Sequence, residues 1–319
     1  MRRVAATRSG RTPYDAGQMG NPLQEAVRDK VERVEIQQDP FPHAVIPDLL
    51  PDDFFRELAD SIPPLESFQP DDHIKANLRI MERNRYFEAA PEGFKSIWRR
   101  LRDQILRDTI APILVQRLES EIREKYAFLF SSELADEIMA GGLMASDGRI
   151  MARKPGYKLH PHSDSAQYAV TCLLYFTNAD EADTGALCLY RPEHRPELRH
   201  TSTYYPIKEE GISVELAKEI PIQENLFVAF LNGAESLHGV RVSAHADLTR
   251  ERLAYQAHIV PRHDPRPEID RHFDRLDDPL ARSRWERYWE SRNAKLQRWE
   301  EERERKQKER AGTPPGPDG

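Results

Sequence analysis

Cysteine is nearly absent from this sequence, with two in 319 residues, Cys172 and Cys188. Each lies inside an apolar run, which excludes a disulfide framework and reads as two small core side chains in a reducing compartment. A basic excess is absent as well. Lys and Arg number 47 against 54 Asp and Glu, a formal net charge of −7, the wrong sign for a chain held on nucleic acid through phosphate contacts. Long hydrophobic runs are missing. The apolar stretches Ala169 to Phe176 and Leu226 to Leu231 are broken by polar residues and fall short of the roughly 20 residues a membrane helix needs. The four arginines within Met1 to Arg11 are followed by Thr, Pro, Tyr, Asp and Gly rather than an apolar segment. No secretory leader is therefore expected, and the expected location is the cytoplasm. No internal repeat is present.

What is there falls into four stretches. Residues 1–35 mix Arg, Gly, Thr, Asn and Gln with few large apolar groups and are expected to form a mobile arm. Residues 36–142 read as a helical support region that packs on the core. It opens with the extended run at Phe41, then carries Leu49, Leu50, Phe54, Phe55 and Leu58, and later Phe94, Ile97, Trp98, Leu101 and Ile105, at helical spacing. Gly141 and Gly142 end it. From Leu143 to Pro261 the period changes to two, with extended candidates at 149–153, 157–164, 168–176, 186–191, 225–231, 237–242 and 252–260. Many short strands predict a sandwich or barrel. The stretch Arg191 to Pro221 is long enough for a functional loop. Residues 262–319 form a charged helix with a sparse stripe of Trp285, Trp289 and Trp299, then a Pro/Gly-rich tail.

Candidate chemistry begins at His162-Ser163-Asp164. In a strand, residues i and i+2 share a face, so the imidazole and the carboxylate can share an ion. Such pairs are cheap: His245/Asp247 and His272/Asp274 have the same spacing. Only His162/Asp164 opens onto a strong strand candidate, Tyr168 to Phe176. A third ligand is offered by His238, which follows the strand 225–231 by a short turn. Two histidines and one carboxylate leave about three open positions on an octahedral iron, whereas a closed zinc site takes a fourth protein ligand. Arg252 opens the last strand, whose alternation puts Arg252, Ala254, Gln256 and His258 on one face and Leu253, Tyr255, Ala257 and Ile259 on the other. An inward guanidinium needs a partner, and a carboxylate ligand would pair it bidentately.

The run Arg153-Lys-Pro-Gly-Tyr157-Lys-Leu-His-Pro-His162-Ser-Asp164, followed by Tyr168 to Asn178, Gly185 to Tyr190, Leu226 to Leu231, His238-Gly-Val and Arg252, resembles the 2-oxoglutarate/Fe(II)-dependent oxygenase superfamily, in particular its prolyl-hydroxylase-like branch. The resemblance covers 143–261. It implies an α+β chain with a mainly β catalytic core, a double-stranded β-helix (jelly roll, cupin-like) against which the N-terminal helices pack. It also implies His162, Asp164 and His238 as iron ligands, Arg252 as the partner of the distal carboxylate of 2-oxoglutarate, O2 as co-reactant and ascorbate as a candidate reductant. Prolyl hydroxylases often carry a Tyr three residues before the first ligand. Here that position is Leu159, and the cosubstrate contact is carried to Tyr157 instead. Because Asp164 is present where halogenating relatives lack a carboxylate, the implied reaction is hydroxylation of a peptide or small molecule. The alternative is a cupin-like metal- or ligand-binding protein without catalysis, which would have no reason to keep a buried cation aimed at the metal. His160 reads as a residue lining the mouth. His258 is either a core histidine or a substrate contact, and Arg191, Arg195 and Arg199 are either a solvated segment or an anion clamp. Neither nucleic acid nor membrane is expected as a partner, and oligomeric state stays open.

Overall fold

The structure, a computed structural model, describes residues 21–71, 74–81, 90–129, 131–153, 157–164, 167–177, 186–195, 212–241 and 252–263, with Phe87, Glu290, Glu301 and Arg305 as isolated positions. The tryptophan stripe at 285–299, the segment 196–211 and residues 1–20 lie outside these.

Twelve described strands form two antiparallel sheets. The larger has the order β1 (His43–Ile46), β10 (Phe227–Leu231), β7 (Val170–Tyr175), β12 (Arg252–Pro261), β5 (Arg149–Arg153), β3 (Ile74–Met81) and β2 (Gln69–Asp71), with β4 (Leu143–Ala145) also pairing with β12. The smaller has the order β6 (Lys158–His162), β11 (Leu237–Arg241), β8 (Ala186–Pro192) and β9 (Val214–Pro221). Alternation divides the apolar residues of the larger sheet between two cores. Val170, Cys172 and Leu174 of β7, with Tyr255, Ala257 and Ile259 of β12, pack under the helices. Leu173 and Tyr175 of β7, Val228 and Phe230 of β10 and Ala254 of β12 meet Leu187, Leu189 and Ile220 of the smaller sheet. The result is three layers: helices, large sheet, small sheet.

The helical layer comprises α1 (Pro22–Arg33), α2 (Asp52–Asp60), α3 (Glu92–Arg99), α4 (Ala111–Arg117), α5 (Glu119–Leu129) and α6 (Ser132–Gly141). Between α3 and α4, Arg100–Ile110 continues the helix with wider, π-type winding. The expected face is the buried one. Ile97, Trp98, Leu101 and Ile105 are all inside, and the Trp98 ring stacks on Tyr255 of β12 at 5.6 Å.

Three expectations are corrected. The N-terminal arm does not extend to residue 35: Pro22–Arg33 is a helix, capped by Asn21, whose side chain accepts from the Leu23 amide at 3.1 Å, with Val27 and Val31 fully buried. Leu23, Val27 and Val31 recur every fourth residue and form a stripe too narrow to stand out in a charged segment. The support region 36–142 is not purely helical either, since β1, β2 and β3 lie within it and widen the larger sheet. The stretch 191–221 contains β9 in place of a continuous loop, an edge strand with four of its eight residues exposed.

Candidate metal centre

The site is built at the seam between the sheets. His162 ends β6 and His238 is the second residue of β11; the two are register partners in the antiparallel pair. Directly opposed residues point the same way, and their imidazole centroids are 4.3 Å apart. Gly239 makes the pairing possible. A Cβ there would stand 2.6 Å from the Leu159 carbonyl oxygen, at the irregularity in register between His238 and Val240. Asp164, two residues beyond His162, completes the group. Its Oδ1 lies 3.8 Å from His162 Nε2, and its Oδ2 lies 3.7 Å from His238 Nε2. One donor atom from each of the three residues falls within 4.8 Å of the others.

Both histidine tautomers are set by the backbone two residues upstream. His162 Nδ1 faces the His160 carbonyl at 2.8 Å, and His238 Nδ1 faces the Ser236 carbonyl at 3.4 Å. Each Nδ1–H therefore donates to a carbonyl and leaves Nε2 as the lone-pair donor turned toward Asp164. Asp164 is held in turn: the Thr171 hydroxyl of β7 donates to Oδ2 at 2.7 Å. Burial together with the neighbouring His238 pulls His162 down to about 3, and burial also lowers His238. Burial pushes the Asp164 carboxyl up, but the imidazoles of His238, His258 and His162 outweigh it and hold the group well below the usual carboxylate range. Two neutral imidazoles and one carboxylate are the protonation states that a divalent ion requires. Metal–ligand bonds of about 2.0–2.2 Å place two donors on one ion at most about 4.4 Å apart, so the measured Nε2 to carboxylate separations fit a single ion.

The last strand presents the predicted face to the interior. Arg252 is 3% exposed. Its Nη1 donates to the Ala186 carbonyl of β8 in the other sheet at 3.3 Å, and its Nη2 donates to the Tyr175 hydroxyl at 3.2 Å. Among the described residues no carboxylate pairs with it. Farther along the same face, Gln256 accepts from Arg149 at 2.8 Å. His258 brings Nε2 to 3.7 Å from Asp164 Oδ2, so this histidine faces the carboxylate and is not a bystander in the core. Tyr157 is buried with the Arg153 guanidinium 4.7 Å above its ring. His160 is exposed and contributes its carbonyl.

Thr171 and Tyr175 were missed at the sequence level. The signal was present, since both are polar residues on the inward parity of the apolar strand Val170–Tyr175.

No family model matches the chain, and no curated protein matches it. Solved structures do. A prolyl-4-hydroxylase from Pseudomonas putida is 16% identical, covering 76% of this chain and 100% of its own, with a TM-score of 0.41. HygX from Streptomyces hygroscopicus, solved with nickel, 2-oxoglutarate and hygromycin B, is 15% identical over 69% of this chain and 83% of its own, with a TM-score of 0.40. An oxidoreductase of the 2OG-Fe(II) oxygenase family from Burkholderia pseudomallei is 12% identical over 77% and 92%, with a TM-score of 0.40.

Proposed function

We propose that this protein is an Fe(II)- and 2-oxoglutarate-dependent dioxygenase that hydroxylates an unactivated C–H bond of a peptidyl or small-molecule substrate. The observation that carries the reading is a buried Arg252 without a described carboxylate partner, in the same interior as the His162/Asp164/His238 donor set. A binding protein with a metal has use for the donors alone. A cosubstrate with a chelating end and a distal carboxylate has use for both.

On this reading His162 and His238 would hold the iron through Nε2 and Asp164 would supply one anionic oxygen, a donor set with too few protein ligands to close the site against a cosubstrate. Iron with 2-oxoglutarate and O2 supplies the oxidative decarboxylation to succinate and CO2 that is coupled to hydroxylation. Arg252 takes the distal carboxylate as a bidentate pair, steadied by the Tyr175 hydroxyl. Tyr157 lines the same cosubstrate end, because its neighbour Arg153 is the register partner of Arg252. Leu173, Leu189 and Phe230 wall the interior with apolar surface and keep water from the reacting groups. The two sheets, over 143–261, form the double-stranded β-helix, with the helices as backing. Cys172 and Cys188, both buried and neither in a disulfide, accord with the cytoplasmic location proposed here.

The test is turnover. Protein loaded anaerobically with Fe(II) and 2-oxoglutarate, then given O2, ascorbate and a panel of peptides and metabolites, is expected to release succinate together with a product one oxygen atom heavier. Binding of both without succinate from any panel member would leave the cupin-like binding protein as the better account.

A further inference from the structure

Among the described residues two formal cations are buried, Arg252 and Lys125. The proposed reaction uses the first and leaves the second without a role. Lys125 lies on α5, where taking an ammonium group out of water and freezing a long side chain are both unfavourable. An apolar residue in the same place would incur neither cost.

Its contacts lead to the metal carboxylate. Lys125 Nζ donates to the Tyr168 carbonyl, and the next residue, Tyr126, donates its hydroxyl to the Gln167 carbonyl at 3.1 Å. Successive side chains of one helix thus grip the successive carbonyls of Gln167 and Tyr168, just ahead of β7. The Tyr168 ring stacks on His258, with centroids 3.9 Å apart and planes 18° from parallel. His258 Nε2, which makes no hydrogen bond among the described residues, stands 3.7 Å from Asp164 Oδ2. Lys125 therefore reaches Asp164 through Tyr168, whose ring stacks on the histidine that faces the carboxylate. The ammonium also feels the Asp164 charge directly, which opposes the lowering of its pKa by burial.

We propose that Lys125 is a positioning residue for the metal site: through the Tyr168 carbonyl and the Tyr168/His258 stack it fixes the placement of Asp164, so that α5 sets the affinity and geometry of the bound ion. The inference rests on the metal-site reading above.

Co(II) is a suitable probe because its visible spectrum reports ligand geometry. It is titrated anaerobically into the full chain. The parent must bind Co(II) and His162→Ala must lose it; if not, the metal-site reading fails, independently of Lys125. Given that binding, Lys125→Met, which keeps the apolar stem and removes the donor, is expected to weaken Co(II) about 10- to 100-fold and to change the visible spectrum. Leu118→Ala, which hollows the same helical layer, is expected to lower Tm and leave the spectrum as in the parent. A folded Lys125→Met protein with parental affinity and spectrum overturns the proposal. If Lys125→Met does not fold, Tyr168→Ala decides, since this partly exposed ring can be removed without emptying the core. A changed Co(II) spectrum there upholds the positioning role, and an unchanged one overturns it.

Discussion

At Asp164 one carboxylate is surrounded by the imidazoles of His162, His238 and His258 and by the Thr171 hydroxyl. Thr171→Val keeps the shape and removes the only hydroxyl donor described on that carboxylate. It should weaken metal binding about tenfold or more while leaving the fold intact, measured by metal titration beside a thermal melt; equal affinity in the two proteins would remove Thr171 from the site. His162 gives a prediction in pH. Its folded-state value near 3 lies below the ordinary imidazole value of 6.5. Between the two, the unfolded chain binds a proton that the folded chain does not, so stability is complete above 6.5 and is lost as pH falls toward 3. Melts of the metal-free protein at about pH 7.5, 6 and 5 should show Tm falling in that order. A flat profile would mean that His162 takes up its proton in the folded state. His162, Asp164, His238 and Arg252 were legible because few residue types in a fixed order along strands carry their signal. Thr171 and Tyr175 were legible only as polar residues on the inward face of β7, and Lys125 not at all, because each acquires its role only when another element is laid against its own.

The pairing of β6 with β11 is the element on which the ligand set depends, and Gly239 controls it. Gly239→Ala would force a Cβ to within 2.6 Å of the Leu159 carbonyl oxygen, so the strands must part and carry His162 away from His238. Overpacking of this kind costs about 1–3 kcal/mol. Loss of stability together with loss of metal binding is the expected pair of outcomes, read by denaturant titration and metal titration. Normal metal binding in a destabilised Gly239→Ala protein would show that the strand spacing does not govern the site. The β strands buried on both faces were legible from apolar content, and β12 from its alternation. β9 was not, since Glu215, Leu216 and Glu219 are exposed on an edge that needs no apolar pattern. β3 carried a readable alternation in Ile74, Ala76, Leu78 and Ile80, masked by the helical patterns on either side. α1 resembles an arm in sequence because most of its surface is charged, and it docks through Leu23, Val27 and Val31 with hydrogen bonds from Gln24 and Arg117.

At the scale of the whole molecule, the three layers have separate tasks. The helices back the large sheet through Trp98, Phe55 and their neighbours, with Phe55 stacked on Phe176 at 5.4 Å. The small sheet supplies the two histidines, and the large sheet supplies Thr171, Tyr175, Arg252 and His258. Contacts between the sheets across the interior include Arg252 to the Ala186 carbonyl and the Phe230 ring to His238 at 4.5 Å. A dicarboxylate bridging from the His162/Asp164/His238 group to Arg252 would add a further tie, for which the interior is built. The most direct test is anaerobic calorimetry, with Fe(II) titrated first and 2-oxoglutarate second, on the parent and on Arg252→Ala. The account predicts that the parent binds 2-oxoglutarate once Fe(II) is present. In the variant, Fe(II) binding should be unchanged and 2-oxoglutarate affinity about 100-fold weaker, the loss expected when a bound carboxylate is left without its guanidinium in a dry site. Equal 2-oxoglutarate affinity in the two proteins, or none in the parent, would contradict it.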